Sequence, residues 1–314
     1  MLQQSRIDHP AARNPASYGY MMHYDVSPAL LVMTATINPF SNVVWSDRND
    51  PAVRLEDYCE ALEFYLNRCK LIDRIVFVEN SDSNLAPLQQ IVENHRGGKQ
   101  VEFVSFYGQD YPAEFTRGYG ELRSLDHAFR NSRLMSQLKD EDKCWKVTGR
   151  YRATNLDRLI RTAPPSYDLY ADFRWWKKMT DVRLFSFSRG GYERLLLGRY
   201  LEMKGVMLEE YFFSRFTALI EEKGEKVSGI IPEFYYVPRI EGIGAFQNMN
   251  YMGGKLRMIY HARSTLQFFK NLVRPSRWDF ARYEVPRDRR CRVPAGPIPG
   301  RLHGGETSDR RAPG

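Results

Sequence analysis

The sequence predicts an α/β fold in which a mostly parallel central sheet is flanked by helices. The chain has 314 residues and is 43% hydrophobic, which is enough for a sizeable core. Short continuous runs rich in β-branched residues alternate with segments whose apolar residues recur at helical spacing. This β-α-β-α-β order is typical of parallel strands joined by right-handed crossovers. We therefore expect one α/β domain, followed by a C-terminal helical extension and a disordered tail.

The first half of the predicted domain contains three strands and the two helices between them. Residues 30–37 form a continuous apolar run, as expected of a strand buried on both faces. After a polar loop, residues 53–71 carry apolar side chains at helical spacing. The pattern then predicts a strand at 73–79, a helix at 85–94 and a strand at 101–106.

The second half continues the alternation less regularly. It predicts a helix at 118–139, a strand at 144–148, a helical turn at 155–161, strands at 169–173 and 182–188, helices at 192–202 and 208–222, a late strand at 230–239 and a basic amphipathic helix at 255–273. Residues 1–27 are polar and irregular, and the Arg/Pro/Gly-rich residues 276–314 are typical of disorder. We find no internal repeat.

Charge and composition exclude several classes of protein. The net charge is +8, and residues 286–314 alone carry seven arginines against three acids. The remaining body is only mildly basic, unlike a nucleic-acid-binding domain with a dense basic stripe. The N-terminus lacks the charged start and apolar run of a signal peptide, and no stretch approaches transmembrane length. We therefore predict a cytoplasmic protein with its four cysteines reduced.

Several familiar catalytic motifs are missing from the sequence. No GxGxxG follows the first strand, and no GxxxxGK[ST] is present, which disfavours a dinucleotide fold and a P-loop ATPase. There is also no GxSxG and no HExxH. The candidate chemistry must therefore come from residues without a standard local signature.

Polar side chains follow several predicted strands, at the edge where ligands bind in parallel sheets. The first strand ends near Thr34 and Thr36, and the second ends at Asn80 and Ser81. The strand at 144–148 is followed by Gly149, Arg150 and Tyr151. Lys146 and Arg150 flank this strand end, where cations beside a glycine suit a diphosphate. The alternative is an exposed basic strand end with a turn glycine.

Acidic residues supply candidates for a metal ligand and a general base. Asp172 follows another strand, and a carboxylate there suits a divalent cation, with Asp168 as a weaker candidate. No tight Asp-x-Asp is present, so Mg²⁺ or Mn²⁺ dependence and metal independence both stay open. Glu209 and Glu210 open a predicted helix. They are either favoured there by the helix dipole or one of them takes a proton from an acceptor hydroxyl.

Five short segments occur in an order that resembles a known family. They are residues 34–37 (TATI), 54–58 (RLEDY), 79–81 (ENS), 118–121 (GYGE) and 146–151 (KVTGRY). Together they resemble bacterial GT-A-like glycosyltransferases of surface-polysaccharide assembly, the makers of capsule and O-antigen, over residues 28–250. The Lys-x-Thr-Gly-Arg-Tyr segment is the most specific part.

The resemblance implies a GT-A-like, Rossmann-like nucleotide-binding half at about 28–175 and an acceptor half at about 176–250. The implied reaction moves a sugar from a nucleotide-sugar donor to a glycan or lipid-linked acceptor. The implied donor-binding residues are Thr34, Thr36, Asn80, Ser81, Lys146, Thr148, Gly149, Arg150, Tyr151 and Arg174. The implied acceptor-binding residues are Tyr119 and Glu121, and the implied catalytic residues are Glu209 and Glu210. Asp172 is a candidate catalytic residue and metal ligand from its position at a strand end, since the family's usual metal-binding Asp-x-Asp is missing here.

Two other functions stay open at this point. A sugar nucleotidyltransferase shares the α/β frame and the need for cations, although no Gly-rich loop with a basic residue follows the first strand. A non-catalytic protein that binds a membrane surface or nucleic acid through helix 255–273 and the arginine-rich tail is the other. An enzyme with a lipid-linked acceptor could use the same helix to lie at the inner membrane.

Overall fold

A computed structural model of the protein describes residues 29–39, 48–112, 114–244 and 254–273. The predicted flexible segment 1–27 and the predicted disordered tail 276–314 lie outside these residues. Within helix 254–273, the side chains of Lys255, Leu256 and Leu272 are likewise outside the described part.

The secondary structure follows the predicted alternation. The strands are β1 (Ala29–Ala35), β2 (Ile72–Glu79), β3 (Gln100–Ser105), β4 (Lys143–Thr148), β5 (Arg152–Ala153), β6 (Leu169–Arg174), β7 (Met179–Ser188), β8 (Ile230–Ile231) and β9 (Ile240–Glu241). The helices are α1 (Pro51–Arg68), α2 (Ala86–Asn94), α3 (Arg117–Asn131), α4 (Arg133–Ser136), α5 (Leu156–Arg161), α6 (Arg189–Leu195), α7 (Leu208–Lys223), α8 (Glu225–Ser228) and α9 (Gly254–Val273).

Seven strands form one sheet in the order β3-β2-β1-β4-β7-β6-β8. Neighbouring strands are parallel except where β7 runs antiparallel between β4 and β6. The short strands β5 and β9 pair in a separate two-stranded sheet. The α/β prediction of a mostly parallel sheet flanked by helices is therefore confirmed.

Both faces of the sheet are buried, because alternate residues of each strand enter different core clusters. Leu31 and Met33 of β1 pack with the cluster that includes α1 and α5, whereas Leu30 and Val32 pack with the cluster that includes α3 and α7. This explains why the strands are continuous apolar runs in the sequence and do not alternate with polar residues.

Three predicted elements differ from the observed ones. The helix predicted at 192–202 is α6, which ends at Leu195, shortly before Gly198 with its left-handed backbone. The helix predicted at 118–139 ends at Asn131, because Ser132 is extended and its hydroxyl caps α4 by accepting from the Met135 amide at 3.1 Å. The strand predicted at 230–239 is wrong. Only Ile230–Ile231 pairs with β6, and Pro232, which has no amide hydrogen, follows at once.

The described helices include none that combines the length and the apolar character needed to cross a bilayer.

Candidate active site

The carboxyl ends of β1, β2, β4 and β6 lie at one edge of the sheet, because these strands are parallel. The antiparallel β7 begins at the same edge, since Asp172 of β6 is in register with Asp181 of β7. The N-terminal parts of α3 and α7 also reach this edge, through Glu121 and Glu209. We refer to the polar residues gathered here as the strand-end site.

Glu121 lies at the centre of the strand-end site. Its Oε1 accepts a hydrogen bond from Thr148 Oγ1 at 2.7 Å and forms an ion pair with Lys146 Nζ. Thr34 Oγ1 lies 3.4 Å from the same oxygen. Burial by itself raises the pKa of Glu121, but Lys146 and these hydrogen bonds outweigh it and hold the pKa below its ordinary value. Glu121 is therefore ionised and fixed by β1 and β4.

Lys146 is fully buried, and all three of its N–H donors point to protein acceptors. The acceptors other than Glu121 are Thr148 Oγ1 at 3.1 Å and the Val182 carbonyl at 2.8 Å. Burial lowers the pKa of Lys146 and the Glu121 carboxylate opposes that shift. The lysine has no donor left for a phosphate, so the geometry differs from the predicted direct contact with a diphosphate. Lys146 instead positions Glu121.

The tips of β1 and β2 are held together by Glu79, which is fully buried. Its carboxylate accepts from the backbone amides of Ile37 at 2.9 Å, Ser81 at 3.0 Å and Ser83 at 3.1 Å. Sequence reasoning treated Glu79 only as part of a strand end. A carboxylate that closes a buried strand and precedes a turn was the signal that could have found it.

Three of the predicted donor-binding residues lie on these tips. Thr36 Oγ1 donates to Asn80 Oδ1 at 2.7 Å, and Ser81 Oγ accepts from the Asn38 amide at 3.0 Å. Asn80 Nδ2 in turn lies 3.4 Å from the Gly120 carbonyl at the start of α3. The tips of two strands and one helix therefore form a single hydrogen-bonded rim beside Thr34.

Three arginines concentrate positive charge between the ends of β1 and β4. Arg54 is buried and donates from Nε to the Thr36 carbonyl at 2.6 Å. Burial lowers the pKa of Arg54, and the nearby Arg150 lowers it further. The Asp57 carboxylate, paired with Arg48 at 2.6 Å, raises the pKa of Arg48, and the nearby Arg150 opposes that shift. The sequence analysis included Arg54 in a motif but gave neither Arg48 nor Arg54 a role.

Arg150 has a buried donor that none of the described residues engages. Its Nη2 donates to Tyr151 Oη at 3.0 Å, and its guanidinium lies 4.8 Å from the centre of the Tyr151 ring. Its Nε has no hydrogen-bond partner among the described residues. Tyr151 itself is buried in the core, so these two contacts tie the Arg150 guanidinium to the core.

Gly149 is required by the packing of β4 against β1. A Cβ at this position would lie 2.8 Å from the Thr34 carbonyl oxygen, which accepts from the Gly149 amide. The close approach predicted for a diphosphate is therefore made by the protein backbone. It brings Thr148 and Arg150 next to the end of β1.

Asp172 is committed to two arginines. Arg263 Nη2 of α9 lies 2.8 Å and 2.7 Å from its two oxygens, and Arg174 Nε lies 3.3 Å from one of them. Arg174 also pairs with Asp181, which Arg183 contacts as well. Burial opposes ionisation of Asp181, but these two guanidinium groups keep its pKa well below the ordinary value. Asp172 and Arg174 therefore neutralise each other within a network of ion pairs.

This arrangement does not fit the divalent metal considered from the sequence. The carboxylates of Asp172 and Asp181 are already neutralised by guanidinium groups, and the end of β4 presents Thr148 and Arg150. Within residues 29–39, 48–112, 114–244 and 254–273, no three His, Cys, Asp or Glu side chains are grouped to hold a metal ion. Asp168, the weaker candidate, lies at the opposite end of β6 and pairs with Arg194 at 3.1 Å.

Glu209 and Glu210 differ in their surroundings although they are adjacent. Glu209 is half-buried, whereas Glu210 is exposed. Burial raises the pKa of Glu209, and the carboxylates of Glu121 and Asp181 raise it further. The Glu209 carboxyl therefore lies close enough to the centre of the strand-end site to be repelled by the charges of Glu121 and Asp181. A carboxyl of raised pKa is a better proton acceptor than an exposed one.

Tyr119, predicted to contact the acceptor, belongs to an aromatic cluster on the inner side of α3. Its ring centre lies 4.7 Å from that of Tyr111, 4.6 Å from that of Phe115 and 5.1 Å from that of Tyr200. This places it beside the strand-end site, one helical position before the glycine that contacts Asn80. The structure does not bring it into the Glu121 network.

No protein-family model and no curated protein matches the sequence. Among solved structures, the mannosyltransferase PcManGT from Pyrobaculum calidifontis, in complex with GDP-Man and Mn²⁺, is similar over 80% of this chain and 67% of its own, with 13% identity and a TM-score of 0.42. The galactosyltransferase LgtC, in complex with donor and acceptor sugar analogs, is similar over 60% of this chain and 70% of its own, with 12% identity and a TM-score of 0.37.

A 4-diphosphocytidyl-2C-methyl-D-erythritol synthase from Anaerococcus prevotii is also similar. It covers 76% of this chain and 96% of its own, with 13% identity and a TM-score of 0.35. Similarity at this level decides neither a reaction nor a substrate.

Proposed function

We propose that the protein is a GT-A-like glycosyltransferase that moves a sugar from a nucleotide-sugar donor to a glycan or lipid-linked acceptor. One observation carries the proposal. The Arg150 guanidinium, whose Nε has no hydrogen-bond partner among the described residues, and the Glu209 carboxyl, whose pKa is raised, both lie close enough to the Glu121 carboxylate to interact with it electrostatically, and Lys146 fixes that carboxylate. A cation for a leaving diphosphate and a base for an incoming hydroxyl are the two groups that sugar transfer needs.

The donor's diphosphate lies at the ends of β1 and β4 in this proposal. Arg150 binds it through Nε and its remaining N–H groups, and Arg54 and Arg48 add positive potential beside it. The rim of Thr36, Asn80 and Ser81 then lies next to the nucleoside. Lys146 acts only through Glu121, because its own donors are occupied.

Glu209 acts as the general base. Its carboxylate takes the proton of the acceptor hydroxyl, the hydroxyl oxygen forms a bond to the anomeric carbon, and the bond from that carbon to the nucleotide diphosphate breaks. The electron pair leaves with the diphosphate, whose charge Arg150 stabilises. Glu121 is the polar group best placed to orient a sugar hydroxyl, since its pKa keeps it ionised and acceptor-only.

A panel of nucleotide sugars tests this function. The folded protein is incubated with UDP-, GDP-, CDP- and dTDP-sugars, and binding and donor hydrolysis are measured. We expect at least one donor to bind and to be hydrolysed slowly, and Glu209→Gln to bind it but not turn it over. Failure of the folded protein to bind or hydrolyse any of these donors would contradict the proposal.

A second incubation, with nucleoside triphosphates and sugar phosphates, separates glycosyl transfer from nucleotidyl transfer. A sugar nucleotidyltransferase releases pyrophosphate from a nucleoside triphosphate and a sugar phosphate, whereas a glycosyltransferase releases a nucleotide from the nucleotide sugar. We expect nucleotide release only. We further propose surface-polysaccharide synthesis, capsule or O-antigen, as the pathway, on the strength of the Lys146–Tyr151 segment that resembles those enzymes.

A further inference from the structure

Helix α9 packs against the domain through its polar face. Gln267 is buried and donates to the Phe234 carbonyl at 3.1 Å, and Asn271 donates to the Tyr235 carbonyl at 2.9 Å. One turn earlier, Arg263 binds Asp172. Residues 263, 267 and 271 are four apart and so lie on one face of the helix. Among the described side chains of α9, these polar contacts fix the helix to the domain.

The opposite face of α9 carries an exposed apolar stripe. It consists of Met258, Ile259, Leu266, Phe269 and Val273, with exposed fractions of 74%, 46%, 65%, 55% and 76%. Their spacing places them within about one third of the helix circumference, on the side away from Gln267. An amphipathic helix in a globular domain normally buries this face and leaves its polar face in water. A contiguous exposed apolar face of this size marks an interaction surface.

A second exposed apolar group adjoins α9. Trp175 and Trp176, 50% and 66% exposed, lie in the turn between β6 and β7, and Lys177 and Lys178 follow them on the surface. The Arg263 guanidinium lies 5.5 Å from the centre of the Trp176 ring, which joins this turn to α9. Tryptophan beside lysine is typical of the boundary between lipid and water.

The charges around the two groups are predominantly positive, although Arg263 pairs with Asp172 and Lys270 pairs with Glu233. Residues 254–273 contain four basic residues and no acid, and the turn adds Lys177 and Lys178. A second copy of the same surface would bring like charges together, whereas an anionic surface is complementary. We propose that the stripe of α9, together with Trp175 and Trp176, binds the surface of an anionic lipid bilayer.

This membrane surface adjoins the strand-end site, because Asp172 contacts both Arg174 at the end of β6 and Arg263 of α9. Binding to the bilayer does not depend on the proposed reaction. If that function is correct, the acceptor is a lipid-linked one that reaches the strand-end site from the membrane.

Flotation of the full-length protein with vesicles tests the membrane surface. Vesicles of phosphatidylcholine alone are compared with vesicles that also contain phosphatidylglycerol, at low and at raised salt. We expect binding to the anionic vesicles that weakens with salt, and only weak binding to the neutral ones. No binding to anionic vesicles at low salt would overturn the proposal.

A double substitution, Leu266→Glu with Phe269→Glu, assigns the binding to α9. We expect at least about tenfold weaker vesicle binding, because two apolar side chains that enter the interface become carboxylates that anionic lipid repels. The matched control is Leu201→Glu, which replaces a 54% exposed leucine outside α9 and should bind as the unaltered protein does. Circular dichroism verifies that each variant is folded.

A second variant, Trp175→Ala with Trp176→Ala, keeps the test independent of helix α9 and should also weaken binding. Equal binding by the unaltered protein and both double variants would overturn the proposal. A dimer of the unaltered protein that the α9 variant abolishes, without any change in vesicle binding, would assign the stripe to self-association and would equally overturn it.

Discussion

Glu121 and Lys146 form an ion pair at the centre of the strand-end site, and the lysine has no exposed surface. Removing a lysine from water costs several kcal/mol unless its donors are satisfied. Here Glu121, Thr148 and the Val182 carbonyl satisfy all three. The pair therefore fixes α3 to β4 and β7.

Replacement of Lys146 by Met should lower the free energy of unfolding by about 3–5 kcal/mol, because Glu121 is left without its cation in a largely buried place. The double variant Glu121→Gln with Lys146→Met should recover part of this loss. Urea denaturation measures both, with the exposed Lys139→Met as the control. A loss below about 1 kcal/mol, the value of a surface ion pair, would contradict the buried pairing.

Replacement of Glu209 by Gln should reduce kcat by about 10²–10⁴-fold, the usual contribution of a general base. Glu210→Gln is the matched control, since Glu210 is adjacent but exposed, and its kcat should stay near that of the unaltered enzyme. Steady-state kinetics with the donor found by the panel measures both. A larger loss of kcat in the Glu210 variant would contradict this assignment and make Glu210 the general base.

The pH dependence of activity should reflect the raised pKa of Glu209. The base must be ionised, so kcat/KM should fall as pH drops through a pKa above the ordinary 4.5 of a glutamic acid. The same shift has the opposite effect on stability. A raised pKa means that the protonated carboxyl is favoured in the folded state, so its contribution is present below pH 4.5 and lost as pH rises.

Glu209→Gln should consequently be more stable than the unaltered protein at neutral pH and equally stable in acid. Thermal unfolding at a series of pH values measures this difference. The inactive variant would thus be the more stable one, as expected when a functional group lies in an unfavourable environment. A difference that stays constant with pH would show that Glu209 titrates normally.

Replacement of Arg150 by Ala should weaken binding of a nucleoside diphosphate by about ten- to a hundredfold, because charge-assisted hydrogen bonds to the diphosphate are lost. Arg152→Ala is the control, since Arg152 lies two residues away and pairs with Glu60 at an exposed site. Isothermal titration calorimetry with UDP and GDP measures the change. Equal affinities of the two variants would contradict the proposed role of Arg150.

Asp126 should make stability depend on pH independently of the strand-end site. Burial raises its pKa to about 6, although the Tyr192 hydroxyl and the Gly198 amide donate to it. Its contribution is therefore present below the ordinary pKa of 3.8 and lost as pH rises through about 6. The free energy of unfolding of Asp126→Asn, relative to that of the unaltered protein, should increase by about 2 kcal/mol between pH 4 and 7. Urea denaturation at each pH measures it, and a flat difference would contradict the shift.

Local pattern was sufficient for most of the fold. Residues 30–37 were recognised as a buried strand because both faces of β1 are covered, so no charged residue interrupts the run. The same reasoning failed at 230–239, where the composition favours a strand but Pro232 removes the donor that a ladder needs. The end of α3 was missed because Ser132 is stabilised by Glu102, a residue distant in sequence.

The sequence by itself determined the α/β fold and the residues that follow each strand, because burial and periodicity are properties of neighbouring positions. Only the tertiary structure decided the state of those residues. Lys146 was expected to bind the diphosphate of a ligand. Its N–H donors instead bind the Glu121 carboxylate of α3 and the Val182 carbonyl of β7. Asp172 was expected to hold a metal, but Arg263 of α9 neutralises it. Ion pairs form between groups that are close in space, and the order of residues along the chain does not show which groups those are.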